Sequence, residues 1–191
     1  MLRGFLARIF RGSDSAASAD EEAAWHLYRA AVDQARTNTF YTDYGVADSI
    51  DGRFDLIILH VILLIRRLRR EGDRGADIAQ ALFDATFADM DRSLREMGVG
   101  DLGVGRRVKA MAKAFYGRAQ AYEDALETAD RALLAKALRR NVFGEAPAES
   151  EAAEGLADYV LQVDRALVDQ ISEKLMIGEV MLQAPPVRAA S

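Results

Sequence analysis

Apolar residues recur along this chain with the 3.6-residue period of α-helices rather than the two-residue period of strands. Trp25, Tyr28, Val32 and Ala35 mark one face of a first helix. It should start at the capping-box pair Ser18 and Glu21 and end near Arg36. From Phe54 to about Arg70 the chain is apolar on every side for nearly three turns, as expected of a helix at the centre of a bundle. Arg66, Arg67, Arg69 and Arg70 close it, complement the negative end of the helix dipole and form a local positive patch. Gly72 and Gly75 then break the chain before a helix over about 76–97, whose inward stripe is Leu82, Phe83, Thr86, Met90, Leu94 and Met97. Gly98 stands where a C-cap glycine belongs.

The next helix spans about 106–127, with Val108, Met111, Ala112, Phe115, Ala119, Tyr122 and Leu126 on one face. Another covers about 130–142, ended by Gly144 and Pro147, and a last one about 150–176, with Leu156, Tyr159, Val160, Val163, Leu167 and Ile171 inward. No sustained alternation of apolar and polar residues and no internal repeat appears. The expected fold is therefore all-α, a single bundle of about six helices. Between the first two helices lies a long connection, 37–54, rich in Asp, Gly and aromatic residues, and connections of that length are more often functional than accidental.

The first twelve residues carry a pattern of their own. Leu2, Phe5, Leu6, Ile9 and Phe10 recur at helical spacing, while Arg3, Arg8 and Arg11 are the only charged side chains before Asp14. An amphipathic arm of this kind suits an anionic bilayer surface; a frayed terminus, or a helix packed on the protein's own body, fits it equally well. The small polar stretch 12–20 reads as a linker. The chain thus divides into an arm and linker (1–20), a helical domain (21–176) and a C-terminal tail (177–191) in which Pro185 and Pro186 end regular structure. The longest apolar run, Leu56 to Ile65 with His60 inside it, is about half of the ~20 residues that cross a bilayer. Arg8 interrupts what would be a signal-peptide core, so a cytoplasmic location is expected.

Composition narrows the chemistry. The 191 residues include 25 Lys and Arg against 30 Asp and Glu, a net charge of −5, which argues against a general or sequence-specific nucleic-acid binder. The absence of cysteine removes disulfides, thiol catalysis and thiolate metal sites, leaving His26 and His60 as the only imidazoles. His60, set among Leu, Ile and Val, reads as a buried neutral imidazole with one hydrogen-bond partner more readily than as a catalytic base. Gly98-Val99-Gly100-Asp101-Leu102-Gly103 matches GxGxxG, but a helix rather than a strand leads into it, which favours a helix-to-helix turn over a phosphate cradle. Asp77, Asp84 and Asp91 form a row that reads as a solvated face. Between Asp101 and Glu123 there are five basic residues and no acid, with Arg106, Lys109 and Lys113 opposite the buried face: an ordinary charged surface, or a docking surface for an anionic partner. Residues 141–164 are acidic without a single base. No catalytic residue, metal ligand or cofactor is assigned.

Three strings carry more information than the periodicity. FYxxxGVxDxxDGRFDLIxLH (Phe40 to His60), AQALFDxxFxDMDxxLREMGVGDLxVGRRVKxM (Ala79 to Met111) and AFYGRxxAY (Ala114 to Tyr122) resemble the ubiquinol-cytochrome c chaperone family of alphaproteobacteria and mitochondria. The resemblance covers about 23–143, leaving the acidic segment and the C-terminal helix outside it. Thr39 and Ala47 stand where the family pattern leads one to expect prolines. It implies an all-helical, non-enzymatic assembly factor of the cytochrome bc1 complex. The mitochondrial members act on newly made cytochrome b, near the ribosome and the membrane, with a small partner protein. By the same likeness, client binding is expected at Tyr41, Asp51, Arg53 and Asp55, and at the segment containing Gly100, Asp101, Arg106 and Arg107 together with Tyr116 and Arg118. A structural role competes with this, since Arg53 or Arg118 paired with Asp51, Asp55 or Asp84 would be as well suited to a helical core. Other readings are a peripheral module that binds anionic lipid at the inner membrane through the arm and basic helix, and an enzyme with a small pocket at His60.

Overall fold

A computed structural model describes residues 15–144 and 150–187. The N-terminal arm lies outside the described residues. Among the described residues eight α-helices follow one another: α1 (Ser15–Ala35), α2 (Thr39–Thr42), α3 (Ile50–Leu68), α4 (Gly72–Glu96), α5 (Asp101–Glu127), α6 (Arg131–Leu138), α7 (Ser150–Val168) and α8 (Ser172–Leu175). Two of these, α2 and α8, are single turns, so the expected bundle of about six helices is what forms. A π-helical turn, Arg139–Phe143, extends α6, and no strand occurs among the described residues.

α3 is the axis. Leu56, Ile58, Leu59, Val61, Leu63, Leu64 and Leu68 are fully buried around its whole circumference, and α1, α4, α5 and α7 all pack against it. Its start is fixed locally. Ser49 caps it by accepting from the Gly52 amide (3.1 Å), and Gly52 lies so close to the preceding loop that a Cβ there would sit 2.1 Å from the Ala47 carbonyl oxygen. Only glycine permits that approach.

The arginines expected to form a patch at its far end do something else. Arg66 is buried, donating to Glu123 of α5 (2.8 Å) and Asp164 of α7 (3.2 Å). Arg67 pairs with Glu71 and donates to the carbonyls of Leu167 (2.7 Å) and Gln170 (3.2 Å), satisfying the exposed end of α7. Of the four, Arg69 and Arg70 alone remain exposed, while Arg66 and Arg67 are buried because acids and carbonyls pair their guanidinium groups.

Other boundaries differ from the sequence reading. α1 already runs through 15–20, where a linker was expected, and α3 starts four residues before Phe54. α5 begins at Asp101, directly after Gly98 has turned the chain with φ +82°. The tight corner exposes Met97, which had been placed inward. The last helix breaks at 169–171, so Ile171 is exposed rather than buried.

The tail is not free. Beyond α8 the strap 178–187 lies along the body, with Gly178, Val180, Leu182 and Pro185 turned in and Glu179, Met181 and Gln183 turned out.

Candidate functional site

Two helices that contribute very differently to the core meet in the most informative region. α3 is buried on every side from Ile58 to Leu68, whereas the first twenty residues of α5 bury only Val104 and Phe115. Val108, Met111, Ala112 and Ala119 are half-covered, so the amphipathic stripe expected on α5 exists but is only partly enclosed.

The crossing of α3 and α5 is bracketed by two ion pairs of opposite sense. Arg118 of α5 binds Asp55 of α3 at 2.6 Å, and Glu123 of α5 binds Arg66 of α3 at 2.8 Å. Each helix thus supplies one cation and one anion, and a shift of α5 by one turn would set both pairs out of register. Arg118 also reaches the Asn141 carbonyl (3.4 Å) and lies over the Phe54 ring, 5.9 Å from its centroid. Burial pushes the Asp55 carboxyl up to about 6, with Arg118 opposing and Asp51 reinforcing that rise.

Beside this crossing opens a cavity of about 100 Å3 lined by Ile62, Ile65, Arg69, Phe115, Tyr116 and Gln120, among others. Ile62, Ile65 and Phe115 are its buried apolar lining, the Arg66–Glu123 pair lies in its wall, and Arg69, Tyr116 and Gln120 are exposed around it. Tyr116 is 53% exposed and stacks obliquely on Phe83 (5.5 Å), which together with Phe87 and Phe115 forms an aromatic cluster between α4 and α5. An aromatic side chain held on such a base while still facing solvent can meet an apolar partner with little further loss of freedom.

The residues singled out from the sequence fall into three places. Asp55 and Arg118 meet as a structural strut on one flank of the α3/α5 crossing, whereas Tyr116, two residues before Arg118 and so on the opposite flank of α5, lines the cavity with Arg66 and Glu123. Gly100, Asp101, Arg106 and Arg107 lie at the α4–α5 corner, where Asp101 pairs with Arg95 and the Leu102 side chain is 89% exposed. Arg106 is twelve residues from Arg118, about 18 Å along the helix, so corner and crossing are separate parts of one exposed helix. The glycines of 98–103 cap α4 and start α5, as the turn reading required. Tyr41 serves the fold: its hydroxyl donates to the Ala35 carbonyl (2.6 Å) and fastens α2 to the end of α1. Arg53 pairs with Asp48 (2.7 Å) on an exposed surface, beside the exposed Asp51.

Sequence reasoning missed Arg66, Arg69 and Gln120 as lining residues. Arg66 had a signal, a charge falling on the inward side of an all-apolar helix, but its partners are distant in sequence. Arg106, Arg107, Lys109 and Lys113 are all exposed and make no ion pair among the described residues.

His60 is fully buried. Its Nδ1–H donates to the Leu56 carbonyl (2.7 Å), which can only accept, so Nε2 carries no proton and accepts from the Tyr159 hydroxyl (2.8 Å). Tyr159 in turn accepts from Gln34 (2.9 Å). Burial drops the imidazole to about 4, which keeps it neutral. The ring has two partners rather than the one expected, and both nitrogens are thereby committed. Among the described residues no three His, Asp or Glu side chains come together as a metal site, and no helix is long and apolar enough to cross a membrane.

Comparison with known proteins gives a consistent result. The family model described as ubiquinol-cytochrome C chaperone matches residues 42–182, which brings α7 and the start of the strap inside the likeness. Over 160 residues, 83% of this chain and 80% of the relative, the sequence is 24% identical to ubiquinol-cytochrome-c reductase complex assembly factor 1 of Xenopus laevis. The Mus musculus protein of that name is 25% identical over 159 residues, 83% of this chain, and the chain spans about half of it (54%). The crystal structure of the Cbp3 homolog from Brucella abortus is similar with a TM-score of 0.78 and 34% identity, covering 96% of this chain and 97% of that one.

Proposed function

Because the chain belongs to the ubiquinol-cytochrome C chaperone family, we propose that it is a non-enzymatic assembly chaperone of the cytochrome bc1 complex, holding newly made cytochrome b, or another subunit, close to the membrane. The observation that carries this reading is the incompletely buried α5. A helix that leaves Val108, Met111, Ala112 and Ala119 only half covered, and Tyr116 exposed beside a small cavity, has capacity to bind that its own bundle does not use. The surface joins apolar contact at Leu102 and Tyr116 to the exposed cations Arg106 and Arg107, which make no ion pair among the described residues, a combination suited to the apolar segments and flanking acidic loops of a membrane-protein client. The client would be held by shape and charge, with no bond made or broken. A small partner protein and the ribosome belong to this proposal as further contacts.

Deleting the gene and measuring assembled bc1 complex and the lifetime of cytochrome b tests it: both should fall and be restored by the intact chain. Normal levels of both would refute it.

One observation favours a second reading, a peripheral module for anionic lipid. Arg106, Arg107, Lys109 and Lys113 form an exposed cationic row next to Leu102, as a membrane-surface helix would. Strong, salt-sensitive binding to anionic vesicles together with unchanged bc1 levels after deletion would select it.

A further inference from the structure

The strap after α8 is held in an unusual manner. Gly178, at φ +84°, turns the chain out of α8 and lies against α1 so closely that a Cβ would meet the His26 Cβ at 2.6 Å and the Ala23 carbonyl oxygen at 2.7 Å. Over 180–187 the chain runs outside any helix, strand or turn, and its bonds to the body are made by side chains. Gln170 clamps one residue twice, its Oε1 accepting from the Met181 amide (3.0 Å) and its Nε2 donating to the Met181 carbonyl (2.7 Å). Gln34 donates to the Gln183 carbonyl (2.7 Å), and the Tyr44 hydroxyl donates to the Pro186 carbonyl (3.1 Å). Val180 and Leu182 pack on the core and Pro185 is buried, while Met181 and Val187 face outward at 76% and 83% exposure.

These are the two components of a site for extended polypeptide. Side-chain amides and a hydroxyl grip main-chain groups and so read an extended backbone of any sequence. Alternate inward positions then select side chains. The seam also fits the length: from Ala23 and His26 to Gln34 is about 12–17 Å of helix, and the five steps from Gly178 to Gln183 span about 17 Å when extended.

We propose that the seam between α1 and α7 is a binding site for an extended polypeptide segment of a partner protein, filled in cis by residues 180–187 of this chain. The occupant it fits has a branched apolar residue, an aliphatic residue two positions on and a proline three further, the pattern of Val180, Leu182 and Pro185. The strap itself is the evidence for what the seam accepts. Because residues 180–187 form no helix or strand and are held by side chains of the body, they can leave without unravelling an element of the bundle. The site uses different residues from the α3/α5 surface and stands whether or not that surface binds cytochrome b.

The test uses the full chain with a protease recognition sequence inserted between Glu179 and Val180, cut after folding so that the strap stays seated until exchanged. The probe is a fluorescein-labelled peptide VMLQAPPV, followed by anisotropy. Saturable binding to the cut protein is expected, at least tenfold weaker for the peptide carrying Leu182→Asp and for cut protein carrying Gln170→Ala, and undetectable for the uncut chain. No binding to cut protein that keeps its helical circular dichroism would overturn the proposal, as would equal binding of the Leu182→Asp peptide. If the cut protein loses its fold, the uncut chain carrying Leu182→Asp, which loosens its own strap and leaves the seam unchanged, replaces it: peptide entry there supports the site and exclusion at millimolar peptide rejects it. A dimer that forms only with the strap present would make a second copy, and not a partner segment, the occupant, and would also overturn it.

Discussion

α3 and α5 are both long helices with a regular apolar pattern, yet one is interior on all sides and the other is half surface. Beyond the exposed Ile50 of its first turn, α3 packs its apolar residues into its own bundle. α5 keeps part of its stripe, a projecting leucine at the corner and a half-exposed tyrosine outside it. The difference separates what holds the molecule together from what it can offer to another. It also explains why the two are joined by a reciprocal pair of ion pairs, since packing alone does not fix where a half-buried helix lies.

The contrast breaks first where α3 is truncated. Leu59→Ala or Leu63→Ala should lower unfolding free energy by about 2–5 kcal/mol in urea titration, since each side chain is fully enclosed. A loss below about 1 kcal/mol at both sites would show that α3 is not the axis.

The pH dependence sharpens it next, because α3 carries two buried titratable groups of opposite effect. His60 sits near 4 when folded against about 6.5 unfolded, so the unfolded chain binds more protons between those values. Its contribution falls by about 3 kcal/mol as pH drops through that window and is constant above it. Asp55 is raised to about 6 from about 3.8, so the folded state binds more protons there and its contribution falls by a similar amount, about 3 kcal/mol at most, as pH rises through that range. The two oppose each other. Relative to the parent, His60→Gln should be more stable at pH 4 than at pH 6.5, and Asp55→Asn the reverse. Identical profiles for both variants would contradict the assignment.

The reciprocal pairs come third. Arg118→Ala, which strands Asp55, should cost about 1–3 kcal/mol, and the exchange Asp55→Arg with Arg118→Asp should recover part of it. No coupling in that double-mutant cycle would remove the bracket. Smallest in stability are Leu102→Ala and Arg106→Glu, expected within about 0.5 kcal/mol of the parent by thermal melting because both side chains are solvent-facing. Those two variants should nevertheless weaken client capture.

Much of this was legible in the residues. The all-apolar run 56–65 announced α3, and periodicity located the six long helices because burial on one face is a local rule. Ends were less legible: a cap at Ser18 is a sound local signal, yet α1 extends back to Ser15, and the corner at Gly98 turned out tighter than the eight-residue loop its glycines suggested. The site was harder still. Tyr116 and Arg118 were found through likeness, and an Arg118–Asp55 pair was among the structural alternatives, but the choice of Asp55 over Asp51 or Asp84, and the bracing of Glu123 by Arg66, depend on contacts between residues 57 and more positions apart, which no helical period encodes. The strap's grip by Gln34, Tyr44 and Gln170 was invisible for the same reason, and Pro185 and Pro186 pointed only to the end of regular structure.

The central claim is that α5 presents the client-binding surface of a bc1 assembly chaperone. The most direct measurement places a photo-crosslinking amino acid at position 116 or 102, and at the exposed position 77 of α4 as a control, in cells assembling the complex. The account predicts cytochrome b, or another bc1 subunit, attached at 116 and 102 and absent at 77; equal capture at all three, or capture at 77 alone, would contradict it.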